Sequence, residues 1–275
     1  MLQNRAMLAN LTIHQWTARA YDKSVSSQVE KVHGAKDAGR FNKLLVDKAA
    51  LEPMSKVASA TRDYHYQVTL PWGDNGDRLL PAKLYLDYTK NIRKFVNDFD
   101  KCANAFAVGY PALVQAARNH LGTMYCADDY PSAPDIRSRF SVSTGFTPVP
   151  DAKDFRVDVQ KDLADEIRVS INQVVAQRQS QAVADLRRRI REVVSKIEEK
   201  LSITGCVFRN SLIENCRDLS NLIPSLNVTD DSELSALHED IRDRLLVDPD
   251  RLRNSPLTRA QTASAAREIL SRLAA

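Results

Sequence analysis

The sequence predicts an α+β fold, mostly helical, with a small antiparallel β-sheet and one long helix in its C-terminal half. Apolar residues recur at spacings of three and four over long stretches, the signature of amphipathic helices. Short alternating segments, which suit half-buried strands, occur only in the first 160 residues. The 8 glycines and 11 prolines are few and cluster, so they mark loops rather than a low-complexity chain. With 43% hydrophobic and 27% charged residues, the chain can bury a core. Two regions are expected: residues 1–160, an α+β core with a basic surface, and residues 161–275, the long helix with further helical pieces.

Leu11 to Arg19 has strand-like composition, with Leu11 and Ile13 on one face and Thr12, His14 and Trp16 on the other. Asp22 suits an N-cap for a short helix ending near Gly34. Residues 34–43 (GAKDAGRFNK) form a basic loop, and Asp47 caps a helix to about Tyr66, with Pro53 expected to kink or restart it. The densest turn signal is TLPWGDNGDRLLP, residues 69–81, a loop or open hairpin. From Pro81 a helix runs to about Val108, carrying the stripe Leu84, Tyr88, Ile92, Phe95, Phe99, Cys102 and Phe106, and a separate helix covers 111–121. Strands are expected near 139–147 and 155–159. Lys161 to Leu201 reads as one amphipathic helix about 60 Å long at 1.5 Å per residue, which either spans the domain or pairs with another copy of itself. Prolines 224, 249 and 256 divide residues 204–275 into shorter helical pieces, and Thr258 to Ala275 suggests a detachable tail or partner contact.

Several chemistries lack their signatures. No phosphate-binding glycine loop, G-x-S-x-G elbow or helical histidine pair occurs. Cys102, Cys126, Cys206 and Cys216 form no Cys-x-x-Cys pair and suit isolated thiols in a reducing compartment. The acidic pairs Asp98/Asp100, Asp128/Asp129 and Asp230/Asp231 could hold magnesium, but they suit exposed caps and turns better. No enzyme activity, cofactor or metal is expected. No apolar run reaches the roughly 18 residues of a membrane span, and the opening segment lacks a signal-peptide core, so a cytoplasmic location is expected.

Net charge is +4, but its distribution is uneven. Residues 1–110 hold 16 Lys/Arg against 11 Asp/Glu, whereas 151–275 hold 20 against 21. Anion binding is therefore sought near the amino end. A single strand needs cations along its phosphates and exposed flat side chains for its bases. The candidates are Lys36, Arg40 and Lys43 around Phe41; Arg62 and Tyr66; Trp72 and Arg78 in the turn-rich segment; and Lys83, Lys90, Arg93 and Lys94 along the next helix. Trp72, between Pro71 and Gly73, suits a plug on the core as well as a stacking platform, and Arg93 and Lys94 also suit plain solvated surface. The run Arg187, Arg188, Arg189 and Arg191 suits phosphates or intrahelical ion pairs with Asp185 and Glu192.

Residues 43–88, with TLPW followed by GDRLLP, together with 99–122 (FDKCANAF…YPALVQAARNHLG) and 128–159 (DDYPSAPD…FRVDV), resemble a phage-encoded family of single-stranded-DNA-binding cofactors of podophage RNA polymerases. The resemblance covers somewhat under half of the chain. It implies a fold other than the OB barrel and non-catalytic binding of single-stranded DNA, with weaker binding of double-stranded DNA. It also implies a role in phage transcription or replication, alongside a phage RNA polymerase. Arg62, Trp72 and Arg78 are its motif positions best suited to touch a strand. The expected function is a sequence-tolerant single-stranded-DNA-binding protein, a homo-oligomer in the host cytoplasm. The competing expectation is a helical adaptor that recruits the polymerase without touching nucleic acid.

Overall fold

The computed structural model describes residues 2–154 and 161–274. The fold is α+β and mostly helical, with a four-stranded antiparallel sheet, a two-stranded ribbon and, among the described residues, no closed barrel. The expected strand at 155–159 lies outside the described residues. By backbone contacts the chain divides into two compact units that interleave along the sequence. One holds Met1–Asn10, Tyr66–Tyr88 and Gly145–Ala275; the other holds Leu11–His65 and Thr89–Thr144. Neither unit coincides with residues 1–160 or 161–275.

The first strand, β1 (Ala6–His14), starts and stops earlier than the pattern at Leu11–Arg19 predicts. Ala18 is buried with φ 51°, a left-handed conformation that no strand can pass through, and its carbonyl accepts from the Leu45 amide at 2.8 Å. The chain resumes as β2 (Arg19–Tyr21). Helix α1 (Lys23–His33) follows the expected caps closely. The Asp22 carboxylate accepts from the Val25 amide at 3.1 Å, and Gly34 closes the helix at φ 63°. Strand β3 (Asn42–Leu44) returns antiparallel to β2, pairing Arg19 with Leu44 and Tyr21 with Asn42.

Helix α2 (Lys48–Val68) begins on the Asp47 cap, whose carboxylate accepts from Ala49 at 2.9 Å, and runs unbroken through Pro53. The turn-rich segment is an open hairpin. Strands β4 (Leu70–Pro71) and β5 (Arg78–Pro81) pair antiparallel, and β5 continues the ladder onto β1. Sheet order is β4-β5-β1-β6, which leaves β4 on an edge, the place in a sheet where a proline such as Pro71 is tolerated. Helix α3 (Tyr85–Leu121) is one helix, not two. Pro111 removes a backbone bond, yet Phe106 and Tyr110 before it and Leu113, Val114 and Ala117 after it are buried or packed against the same core. That continuous burial offsets the lost bond. Strand β6 is Ser141–Pro148.

The second unit, residues 11–65 and 89–144, is built on rings. Trp16 meets Phe106 and Tyr110 edge-on at 6.3 and 5.8 Å, and Phe106 meets Phe140 at 5.3 Å. The first unit is organised by helix α4 (Lys161–Ser202), joined by α5 (Ser211–Leu226), α6 (Ser232–Arg244), α7 (Pro249–Asn254) and α8 (Pro256–Ala274). Ala182, Leu186, Ile190, Val194, Ile197 and Leu201 bury one side of α4. Helix α8 lays Ala263, Ala265, Ala266, Ile269 and Leu273 into that core, and its three alanines let two helices approach closely. The expected detachable tail is thus corrected: its narrow apolar stripe is a core contact. No helix among the described residues is long and apolar enough to cross a membrane.

Ile269→Ala should lower stability by about 2–5 kcal/mol in urea unfolding, the cost of a core cavity. A tail contributing nothing to the core would leave the transition unmoved.

Candidate nucleic-acid interface

The predicted residues divide between the two units. Tyr66, Trp72, Arg78 and Lys83 belong to the first, and Lys36, Arg40, Lys43, Arg62, Lys90, Arg93 and Lys94 to the second.

Two of them cannot meet a strand as expected. Trp72 is 1% exposed and sits in the first unit's core with Leu70, Leu79 and Leu186, while Arg178 of α4 lies over its ring at 6.0 Å. A ring enclosed in this way plugs the hairpin onto the helix and offers no face for a base. Lys43 is 7% exposed, because the alternation of β3 turns it inward. Its ammonium donates to the Met124 carbonyl at 2.7 Å and pairs with Asp129 at 2.7 Å and Asp22 at 3.5 Å. The hydrogen bond to Asp129 holds its pKa above the ordinary lysine value despite burial. The Val25 amide, helped by Lys43, holds the Asp22 carboxyl below its ordinary value. Lys43 is a structural cation.

The alternation that hides Lys43 exposes its neighbours. The outer face of the β2–β3 ribbon presents Arg19, Tyr21, Asn42 and Leu44, with Phe41 at its end. Tyr21 is 50% and Phe41 40% exposed, and the Arg40 guanidinium lies over the Tyr21 ring at 5.8 Å. Lys36 is exposed in the preceding loop. Sequence reasoning found Arg40, Phe41 and Lys36 but missed Arg19 and Tyr21. Their signal was the three-residue alternation Arg-Ala-Tyr, too short to distinguish from the strand assigned to residues 11–19.

A second ring-and-cation pair lies in the first unit. Tyr66 is 51% exposed, with the Arg78 guanidinium over its ring at 4.7 Å. Arg78 is anchored by Thr69, donating to its hydroxyl at 2.7 Å and its carbonyl at 3.1 Å. Arg189 of α4 donates to the Gln67 and Thr69 carbonyls at 3.1 and 2.8 Å and pairs with Asp185 at 2.7 Å. Burial lowers the pKa of Arg78, and the nearby Arg189 adds to the effect. Lys83 is exposed, just past β5.

Among the described residues, the arginine run on α4 is committed to protein acceptors. Arg187 pairs with Asp231 and Glu233, Arg188 with Asp185 and Glu192, and Arg191 donates to the Leu273 carbonyl. By contrast, Lys36, Arg40, Lys90, Arg93 and Lys94 are exposed, and none is within ion-pair distance of a carboxylate among the described residues. Arg62 is half-buried on α2, whose Tyr64 packs on Phe95 of α3 at 5.8 Å. The second unit holds 16 Lys/Arg against 11 Asp/Glu, and the first 23 against 24, so the whole positive excess belongs to the unit that carries the ribbon. Among the described residues no group of three or more His, Cys, Asp or Glu side chains is placed to hold a metal ion.

Compared with protein-family models, curated proteins and solved structures, the chain matches none.

Lys43→Met should cost about 1–3 kcal/mol by leaving Asp129 and Asp22 without their cation. Because the folded pKa of Lys43 is raised, its contribution holds below the ordinary lysine value and is lost as pH climbs through the raised one. The difference in melting temperature between wild type and Lys43→Met should therefore shrink in strong alkali.

Proposed function

We propose that the protein binds single-stranded DNA without catalysing a reaction, in a sequence-tolerant way, and serves phage transcription or replication in the host cytoplasm. The observation that carries this reading is the ribbon face. Exposed Tyr21 and Phe41 stand beside Arg40, in a unit whose cations outnumber its acids and are largely unpaired. Free cations neutralise phosphates with release of counterions, and flat rings accept any base on their π-faces. Tyr66 adds an exposed ring in the other unit, beside an Arg78 whose guanidinium is held by Thr69. Duplex DNA hides its base faces in the stack, so it engages the cations alone and binds more weakly. The resemblance to single-stranded-DNA-binding cofactors of phage RNA polymerases agrees with this reading and makes such a polymerase a partner to test.

The reading includes self-association. No residue from Leu163 to Gln181 is buried, and Ala164, Ile167, Ile171 and Val174 of α4 recur at spacings of three, four and three. We take this short apolar stripe as the face on which two copies pair. Asp165 is already paired with Arg168 at 2.9 Å and Arg178 lies over Trp72, so the pairing rests on the apolar stripe alone. The adaptor reading would place a polymerase on the same stripe.

Fluorescence anisotropy with a labelled oligonucleotide across a salt series tests the first claim. Affinity should fall steeply with salt. Lys36→Ala with Arg40→Ala should weaken binding uniformly across sequences and flatten the log–log salt slope by about 1.4, roughly 0.7 per lost phosphate contact. Tyr21→Ala should cost about 1–3 kcal/mol. Binding that is absent at low salt, or indifferent to salt, ends the proposal. For the second claim, Ile171→Asp should leave the chain folded and reduce the mass in solution to that of one chain. A wild-type chain that is already monomeric rejects the self-pairing.

A further inference from the structure

An apolar cavity of about 500 Å³ opens in the second unit between the β3–α2 connection and the end of α3. Leu45, Leu113 and Leu121 supply its walls. Lys48 and His120, both exposed, stand in its lining as cationic or hydrogen-bonding groups. The one acid there, Asp47, has its carboxylate engaged as the cap of α2. Concave apolar walls with a few polar groups at the edge are the usual make-up of a site for a small ligand.

Its place in the fold narrows the choice of ligand. Leu44 belongs at once to the cavity lining and to the outer face of the ribbon, where it is paired with Arg19 and followed along the face by Asn42 and Tyr21. A strand lying over Tyr21 and Arg19 therefore arrives at the cavity mouth. From this continuity and the positive balance of the unit we infer that the cavity receives one unstacked nucleobase of the bound strand, with Lys48 and His120 beside its phosphate. The inference rests on the single-strand reading above and adds to it. Stacking on the ribbon is indifferent to the shape of a base, whereas a walled cavity favours the bases that fit. A protein side chain would fill the same apolar volume but gains nothing from the cationic edge.

The test uses the full chain, a labelled oligothymidine, and the same oligonucleotide carrying 5-iodouracil for photo-crosslinking. Ala116 lines the cavity and is exposed, so Ala116→Trp fills the mouth without entering the core. His120→Asp places a carboxylate at the edge and serves as the second variant should the first fold poorly. Each is expected to lose about tenfold in affinity, the contribution of one stacked base. Ala116→Trp should keep the wild-type salt slope, since no phosphate contact is removed. Crosslinks mapped by mass spectrometry are expected at His120 or its neighbours in wild type and should vanish in Ala116→Trp. Wild-type affinity in both folded variants, or crosslinks confined to Tyr21 and Phe41, overturns the cavity while leaving the ribbon interface standing. Wild type that binds no oligonucleotide at any salt overturns both.

Discussion

An ammonium group withdrawn from water keeps its charge only where carboxylates and carbonyls meet it; otherwise it gives up its proton or destabilises the fold that buries it. Lys43 meets that demand through Asp129, Asp22 and the Met124 carbonyl, and in doing so ties three separate segments together. Asp22 also caps α1, so the same carboxylate orients the helix and the strand beside it. With Lys43 held inward, the period of two in a strand leaves β3 no choice: Asn42 and Leu44 face out. Tyr21 and Arg19, their partners on β2, are turned out by the same register. The candidate interface is the outer side of a ribbon whose inner side is fastened by one ion network.

The two units use their cations differently. In the unit built on α4, arginines close helix ends and bridge helices. Arg259 donates to four carbonyls at the end of α4, Arg187 braces the start of α6, and Arg267 reaches Glu198. Such groups have their donors spent, and their charge is offset nearby. In the ribbon-bearing unit, Lys36, Arg40, Lys90, Arg93 and Lys94 stay in water, where they gain little from the protein and retain their attraction for an anion. Counting charges along the chain locates the excess, but only pairing separates cations that hold the fold from cations free to bind.

Particular residues show how far the sequence could be read. The caps at Asp22, Gly34 and Asp47 and the open hairpin at 69–81 rest on local chemistry, and each is found as its residues predict. The long helix from Lys161 comes likewise from an unbroken period of three and four. Pro111 misled because its penalty is local whereas the compensating burial of Phe106, Tyr110 and Ala117 comes from distant partners. The C-terminal stripe misled for the same reason: Ile269 and Leu273 have no partner until α4 lies beside them. Of the candidate interface, Arg40 and Phe41 were visible from composition and Tyr21 and Arg19 passed unnoticed, whereas Lys43 and Trp72, for which the sequence also allowed a core plug, are buried.

The amino-acid sequence by itself determined the fold class, most helix limits, the turn-rich hairpin and the place of the positive excess, because each depends on contacts within a few residues or on simple charge. Tertiary structure decided which side chains meet water. Trp72 and Tyr21 are both aromatic residues near cations, and no local rule separates them. One is enclosed by α4, more than a hundred residues further along the chain, and the other is turned outward because its neighbour on the paired strand needed two carboxylates. Burial is a property of the assembled neighbours, and those are assigned only when the chain has folded.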